Sequence, residues 1–112
     1  MLEDLVFASG SASLQAGDYA SLTALAAWLM AHPQVRVMLV GHTDASGALA
    51  ANTALSRRRA ESVRQALIAQ TGVAAAQVLA EGAGPLAPRA SNDTADGRQK
   101  NRRVEVFVTP TR

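Results

Sequence analysis

The stretch Val35-Arg36-Val37-Met38-Leu39-Val40-Gly41-His42-Thr43-Asp44 decides how this chain is read. Val35, Val37 and Leu39 alternate with Arg36, Met38 and Val40, the two-residue period of a strand, and the run leads into Gly41. Met38 and Val40 are apolar as well, so both faces of the strand are expected to be covered, as inside a sheet. Asp44 follows at the carboxyl end of this strand, where ligands collect in α/β sheets. Asp44-Ala45-Ser46-Gly47 also reads as a turn, and taken alone the aspartate reads first as a turn residue or a helix N-cap.

Beyond the turn the spacing predicts a long helix, from Ala48 or Ala51 to Gln70, with Thr71-Gly72 as its C-cap. Leu55, Ala60, Val63 and Leu67 form its inner side. Arg59 falls one turn after Leu55 on the same face, so it is expected to be less solvated than Arg57 or Arg58. An arginine at the edge of an apolar face calls for a carboxylate, from its own protein or from a ligand. A direct Asp44–Arg59 salt bridge needs no ligand. An anion and a cation facing one cleft would instead suit a zwitterion, such as the free amino-acid end of a peptide. The sequence leaves both open. Asn52, one turn before Leu55-Ser56, is either exposed in the first turn or adds its amide to that cleft. Glu61 lies near Arg57, Arg58 and Arg64, which makes part of the arginine run a solvated, salt-bridged face.

Upstream, Leu5-Val6-Phe7 is a short β-type run ended by Ala8-Ser9-Gly10-Ser11. Asp18 suits the N-cap of a helix whose Tyr19, Leu22, Leu25 or Ala26, and Leu29 recur until Pro33 stops it. Downstream, Gln77 to Glu81 is a weak strand. Gly82 to Lys100, with Pro85, Pro88, Asn92, Asp93 and Gly97, reads as a long irregular loop of the kind that is usually functional. From Arg103 to Thr109 a last strand sets Val104, Val106 and Val108 on one face and Glu105 and Phe107 on the other. Of Arg102 and Arg103, one is expected to face the cleft or an acid and the other solvent. The βαβαββ order implies an α/β fold, an α+β sandwich. Its mixed four-stranded sheet carries helices on one face, and its strand–helix–strand units are parallel where the strands are neighbours.

A length of 112 residues fits one domain spanning the whole chain, read as a piece of a longer exported protein. Hydrophobic residues make up 48% but aromatics only 4%, so the core must be built from Leu, Val and Ala. Eleven basic against nine acidic residues give a net charge of +2, too balanced to argue for nucleic acid. Without cysteine there is no disulfide, thiolate catalysis or Cys-ligated zinc. No apolar run approaches the ~20 residues of a membrane span, and Met1-Leu2-Glu3-Asp4 does not start a signal peptide. His32 and His42 stand apart without clustered acids, which argues against a metal. Ser9, Ser11, Ser13 and Ser56 lack recognisable His–Asp companions, and Gly82-Ala83-Gly84 runs into Pro85 and not into a helix. No catalytic apparatus and no cofactor are expected.

Taken in order, Phe7 with Gly10-Ser11-Ala12, Gly41-His42-Thr43-Asp44, Gly47, Asn52, Leu55-Ser56, Arg59-Ala60, Val63, Leu67, Gly82, Gly84, Pro88, Asn92, Gly97-Arg98 and Asn101-Arg102-Arg103-Val104-Glu105 form a specific series. From Phe7 to Val108 the chain resembles the OmpA-like domain of Gram-negative outer-membrane proteins. That resemblance implies a site in which Asp44 holds the ammonium of diaminopimelate in a peptidoglycan stem peptide and Arg59 holds the carboxylate on the same carbon. Thr43, Asn52, Leu55 and Arg102 would line it, with backbone amides around Ser9-Gly10. Many members carry an acid just after the strand phenylalanine, where this chain has Ala8. The resemblance further implies a non-enzymatic wall anchor in the periplasm, attached to the outer membrane or envelope through a parent segment outside this chain. The alternative is a protein-interaction or dimerisation module of an envelope assembly, of secretion-system or flagellar-stator type, acting as a homodimer without binding the wall. Nucleic acid is not an expected partner.

Overall fold

The computed structural model describes residues 7, 10–14, 19–69 and 73–109. Their elements run α1 (Ala20–Ala31), β1 (Arg36–His42), α2 (Leu49–Ile68), a 3-10 turn at Ala75–Gln77, β2 (Val78–Gly84), α3 (Ala95–Asn101) and β3 (Val104–Thr109). The sheet order is β2-β1-β3, with β1 parallel to β2 and antiparallel to β3. The parallel pair is joined through α2, the long connection that parallel neighbours require. Three strands form the sheet among the described residues. The further strand expected at Leu5-Val6-Phe7 lies outside them except for Phe7, which is fully buried. The caps expected at Asp18 and Thr71-Gly72 lie outside them too.

The apolar periods predicted from sequence become one core. Leu22, Ala26 and Leu29 of α1 meet Val37 and Leu39 of β1, Ala60, Val63 and Leu67 of α2, and Val104 of β3 in a single cluster with Phe7. Beyond the end of α1 the chain reaches Pro33, which lacks the N–H a helix would need. Gln77 then closes that end: its Nε2 donates to the carbonyls of Leu29, His32 and Val35 at 3.1, 3.0 and 3.1 Å.

Among the described residues only one sheet face is covered. Both long helices pack on the side of Val37 and Leu39, while Met38 and Val40 stay half-buried. Leu79 and Phe107, the partners of Met38 on the two neighbouring strands, are 45% and 49% exposed. An apolar run in the central strand therefore did not mean a two-sided core.

Close approach of α2 to the sheet depends on two glycines. Gly41 and Gly82 are register partners, and Ser56 of α2 lies over both. A Cβ on Gly41 would stand 1.8 Å from the Ser56 carbonyl oxygen, and one on Gly82 2.4 Å from the Ser56 Oγ. The Ser56 hydroxyl accepts from the Gly84 N–H at 2.9 Å and donates to the Thr53 carbonyl at 2.7 Å. This contact brings the first half of α2 down onto the strand end that carries Asp44.

The stretch from Gly82 to Lys100 is less irregular than its composition suggests. β2 continues to Gly84 and α3 occupies Ala95–Asn101, leaving 85–94 as the loop. Thr94 caps α3 by accepting from the Gly97 N–H at 2.9 Å. Asp96 in the first turn, with Arg98 and Lys100 in the last, suits the helix dipole. Asn101, fully buried, organises the loop. Its Oδ1 accepts from the N–H groups of Arg89 (2.7 Å) and Ala90 (2.9 Å), and its Nδ2 donates to the Ala90 carbonyl (2.9 Å) and Asn92 Oδ1 (2.8 Å).

Candidate functional site

Where β1 ends, the turn predicted at 44–47 forms around the Asp44 side chain. Oδ1 accepts from the Ser46 N–H at 3.0 Å, an Asx turn. Asn52, in the first turn of α2, donates its amide to the Ser46 carbonyl at 2.6 Å, so its role is to hold the turn. Gly47 leaves the turn at φ +86°, a conformation that suits glycine. The Ala45 N–H donates to Asn92 Oδ1 at 3.3 Å, tying the turn to the loop that Asn101 orders. Asp44 is fixed from three directions.

Its other oxygen, Oδ2, lies 2.7 Å from Arg102 NH1 in an ion pair. Arg102 is itself anchored by Nε donating to the Phe7 carbonyl at 3.0 Å. Burial would raise the Asp44 carboxyl, but hydrogen bonds from Ser46 and Arg102 outweigh it and hold the group below the usual carboxylate value. Arg59 takes a different place from the one a direct Asp44–Arg59 salt bridge would give. Its Nε donates to the Ser11 carbonyl at 2.8 Å and NH1 to the His42 carbonyl at 3.1 Å. The guanidinium carbon stands 5.3 Å from the Phe7 ring centroid. Burial, then repulsion from Arg102, lowers Arg59 to about 10 against the pull of Asp44, so it stays cationic at neutral pH.

Asp44, Arg59 and Arg102 thus act on one another electrostatically as one anion and two cations. Exposure is 4% for Asp44 and 0% for Arg59, so neither opens broadly to solvent. The expectation that one of Arg102 and Arg103 faces solvent is corrected. Arg102 pairs with Asp44, and Arg103 NH2 lies 3.0 Å from Glu105 Oε1, with its side chain 11% exposed. The two adjacent residues each find an acid, one on either side of the strand entry.

Thr43 donates its N–H to the Gly84 carbonyl at 3.0 Å, while its Oγ1 is buried without a partner among the described residues. Leu55 is buried one turn before Arg59 but stands outside the main apolar cluster. Gly10 is exposed at φ +71°, next to Ser11, whose carbonyl takes Arg59.

Sequence reasoning did not anticipate the group behind this site. His42 Nε2 lies 2.7 Å from Glu105 Oε1, the oxygen that also receives Arg103. Neither ring nitrogen has a well-directed hydrogen bond among the described residues. Desolvation, then Arg103, lowers the His42 pKa, opposed by Glu105. Strand alternation gives Val40 and His42 one parity, and the antiparallel register sets Val40 opposite Glu105. That register was the missing signal.

Beside the site, a trough of about 620 Å³ runs between residues 10–13 and the Arg58, Glu61, Ser62 and Gln65 face of α2. Arg59 Nε and the Ser62 hydroxyl pin its outer wall to the helix through the carbonyls of Ser11 and Ala12.

A model described as the OmpA family matches residues 6–102. The chain belongs to the OmpA family. Among relatives in this family, the probable lipoprotein YiaD of Escherichia coli K12 is 42% identical over 110 residues, covering 98% of this chain and 50% of its own. The peptidoglycan-binding protein ArfA of Mycobacterium tuberculosis H37Rv is 42% identical over 104 residues, covering 93% and 32% respectively. The chain therefore spans about half and about a third of these relatives. The crystal structure of the peptidoglycan-associated lipoprotein from Burkholderia pseudomallei superposes with a TM-score of 0.85 at 34% identity, covering 94% of this chain and 88% of that one. This OmpA-family fold is mixed α+β, with helices against one face of a mixed sheet.

Proposed function

We propose that this OmpA-family domain binds peptidoglycan non-covalently through the diaminopimelate of the stem peptide and so anchors an envelope protein to the cell wall. The observation that carries this reading is the set of buried Asp44 and Arg59 with half-buried Arg102, one anion among two cations, beside a Thr43 hydroxyl with unused hydrogen-bonding capacity. A ligand ammonium takes Asp44, and the carboxylate on the same carbon takes Arg59. Both are charge-assisted contacts, the stronger kind of hydrogen bond. For Arg59 to receive a carboxylate, the Ser11 carbonyl must give up Nε. Asn52 serves by fixing the Ser46 turn, Leu55 supplies an apolar wall, and Gly10 allows the strap at Ser11 to turn.

The domain carries no catalytic role in this reading, and it works in the periplasm as a single unit of a longer parent. Similarity to ArfA, which is named as peptidoglycan-binding, and to a peptidoglycan-associated lipoprotein supports it. Co-sedimentation with diaminopimelate-type sacculi tests it, using wild type beside a folded Asp44→Ala variant. Binding by the wild type alone is expected. Undiminished binding by Asp44→Ala would overturn the assignment of the site, and no binding by either would turn the reading to an interaction module.

A further inference from the structure

The trough beside Arg59 differs from the site itself. It is open and large enough for a ligand, with serine side chains and backbone on the wall at 10–13 and Arg58, Glu61, Ser62 and Gln65 on the helix side. Among the described residues no aromatic or large aliphatic side chain lines it, so hydrogen-bonding groups and charges, and not an apolar anchor, decide what it selects. Its charges are mixed, which disfavours a polyanion. An extended polar chain is the shape and chemistry that fit.

Two features say where such a chain would be continuous with the site. First, the trough and Arg59 share a wall, because the Ser11 carbonyl that lines one receives Nε of the other. Second, Gln65 lies six positions beyond Arg59, roughly 9 Å along the helix at 1.5 Å per residue. That length spans two to three extended residues. Within the trough the two charges are not equivalent. Glu61 is already engaged by Arg64 at 3.2 Å and by the Gln65 amide at 3.2 Å. Arg58 is exposed and has no hydrogen bond or ion pair among the described residues. It is the charge left for a ligand, and it selects an anion.

We infer that this trough holds the acidic stretch of a peptide whose zwitterionic end lies at Asp44 and Arg59, with Arg58 taking a second carboxylate of that peptide. The inference rests on the proposed head-group site. It assigns Arg58, which lies outside that site, to the length and acidity of the ligand. The remaining stem residues would then lie along Ser11, Ser13 and Ser62, whose polar groups can follow an extended backbone.

The test is a calorimetric or fluorescence titration of the whole domain and its Arg58→Gln variant with three probes. These are free diaminopimelate, the tripeptide alanyl-γ-glutamyl-diaminopimelate, and the same tripeptide with the glutamyl α-carboxyl amidated. Wild type should bind the acidic tripeptide more tightly than the amidated one by roughly two- to fivefold, the range of an exposed ion pair. Arg58→Gln should erase that margin and leave free diaminopimelate within twofold. Equal binding of the two tripeptides by wild type overturns the inference, as does a margin that survives in the variant. Wild type that binds none of the probes removes the head-group reading itself, and this inference with it. Because Arg58 is exposed, the substitution should not disturb the fold.

Discussion

Asp44 and Arg102 lie 58 residues apart in the chain and meet at 2.7 Å through Oδ2 and NH1, and this pair carries the ion pairing at the end of β1. Arg59 instead spends donors on the carbonyls of Ser11 and His42. The site is thus a carboxylate already neutralised by one arginine, with a second, buried arginine acting on it from nearby. A double-mutant cycle in urea unfolding should show the difference. Asp44→Asn should cost about 1–3 kcal/mol by removing the charge that Arg102 pairs with. The coupling of Asp44 to Arg102 should exceed its coupling to Arg59, measured with Arg102→Gln and Arg59→Gln. Equal couplings would mean that the observed pairing does not dominate in solution.

Arg59→Lys should be damaging despite keeping the charge. The guanidinium reaches two carbonyls on different segments while lying over Phe7, and a single ammonium on a flexible stem cannot reproduce that fork. One buried carbonyl loses its donor, so stability should fall by about 1–3 kcal/mol. Wall binding should weaken even where the variant is folded. The checks are the urea midpoint and sacculus co-sedimentation; a variant matching wild type in both would show that the forked geometry is dispensable.

Which of these features were legible in the sequence follows from how local they are. The burial of Arg59 came from its spacing to Leu55, a single helical turn, and it held. So did the stripe Leu55, Ala60, Val63 and Leu67. Helix α3 was missed because Ala95–Asn101 has no apolar period at all. Its stability comes from the Thr94 cap, the packing of Gly97 against Ser91, and Asn101 reaching back to the loop. The one-sided core among the described residues was missed because Met38 and Val40 are apolar yet only half-buried, and composition does not say on which side both helices will pack. The partner of Asp44 was out of reach for a third reason. It depends on where β3 enters, a long-range fact with no local pattern.

Gly41 and Gly47 should separate two uses of glycine. Gly41→Ala places a Cβ 1.8 Å from the backbone oxygen of Ser56, so α2 must lift from the sheet. The expected loss is about 3 kcal/mol, the upper end for overpacking. Gly47→Ala meets nothing within 4 Å and suffers only from φ +86°, a loss of about 1–2 kcal/mol. Thermal unfolding of the two variants gives the order directly. If Gly47→Ala were the worse, close approach of α2 would not be what Gly41 secures.

Acid should destabilise this domain through two groups, one of which begins to act near neutrality. The His42 pKa is lowered from its ordinary 6.5, by burial first and by Arg103 next. A base with a lowered folded pKa binds its proton in the unfolded chain first, so stability is full above 6.5 and falls as pH drops from there to the folded value. Asp44 has a folded pKa below its ordinary 3.8. Its contribution is present above 3.8 and is lost as pH falls through the folded value. Both terms have the same sign, but only the first begins near neutrality. Urea midpoints of wild type and His42→Gln, followed from pH 7 downward at constant salt, should therefore diverge in slope just below 6.5. Once the pH is below the folded His42 value the slopes should run together again. The variant should lack the upper decline while Asp44→Asn keeps it. If His42→Gln showed the same upper decline as wild type, the titrating group there would not be the imidazole held beside Glu105 and Arg103.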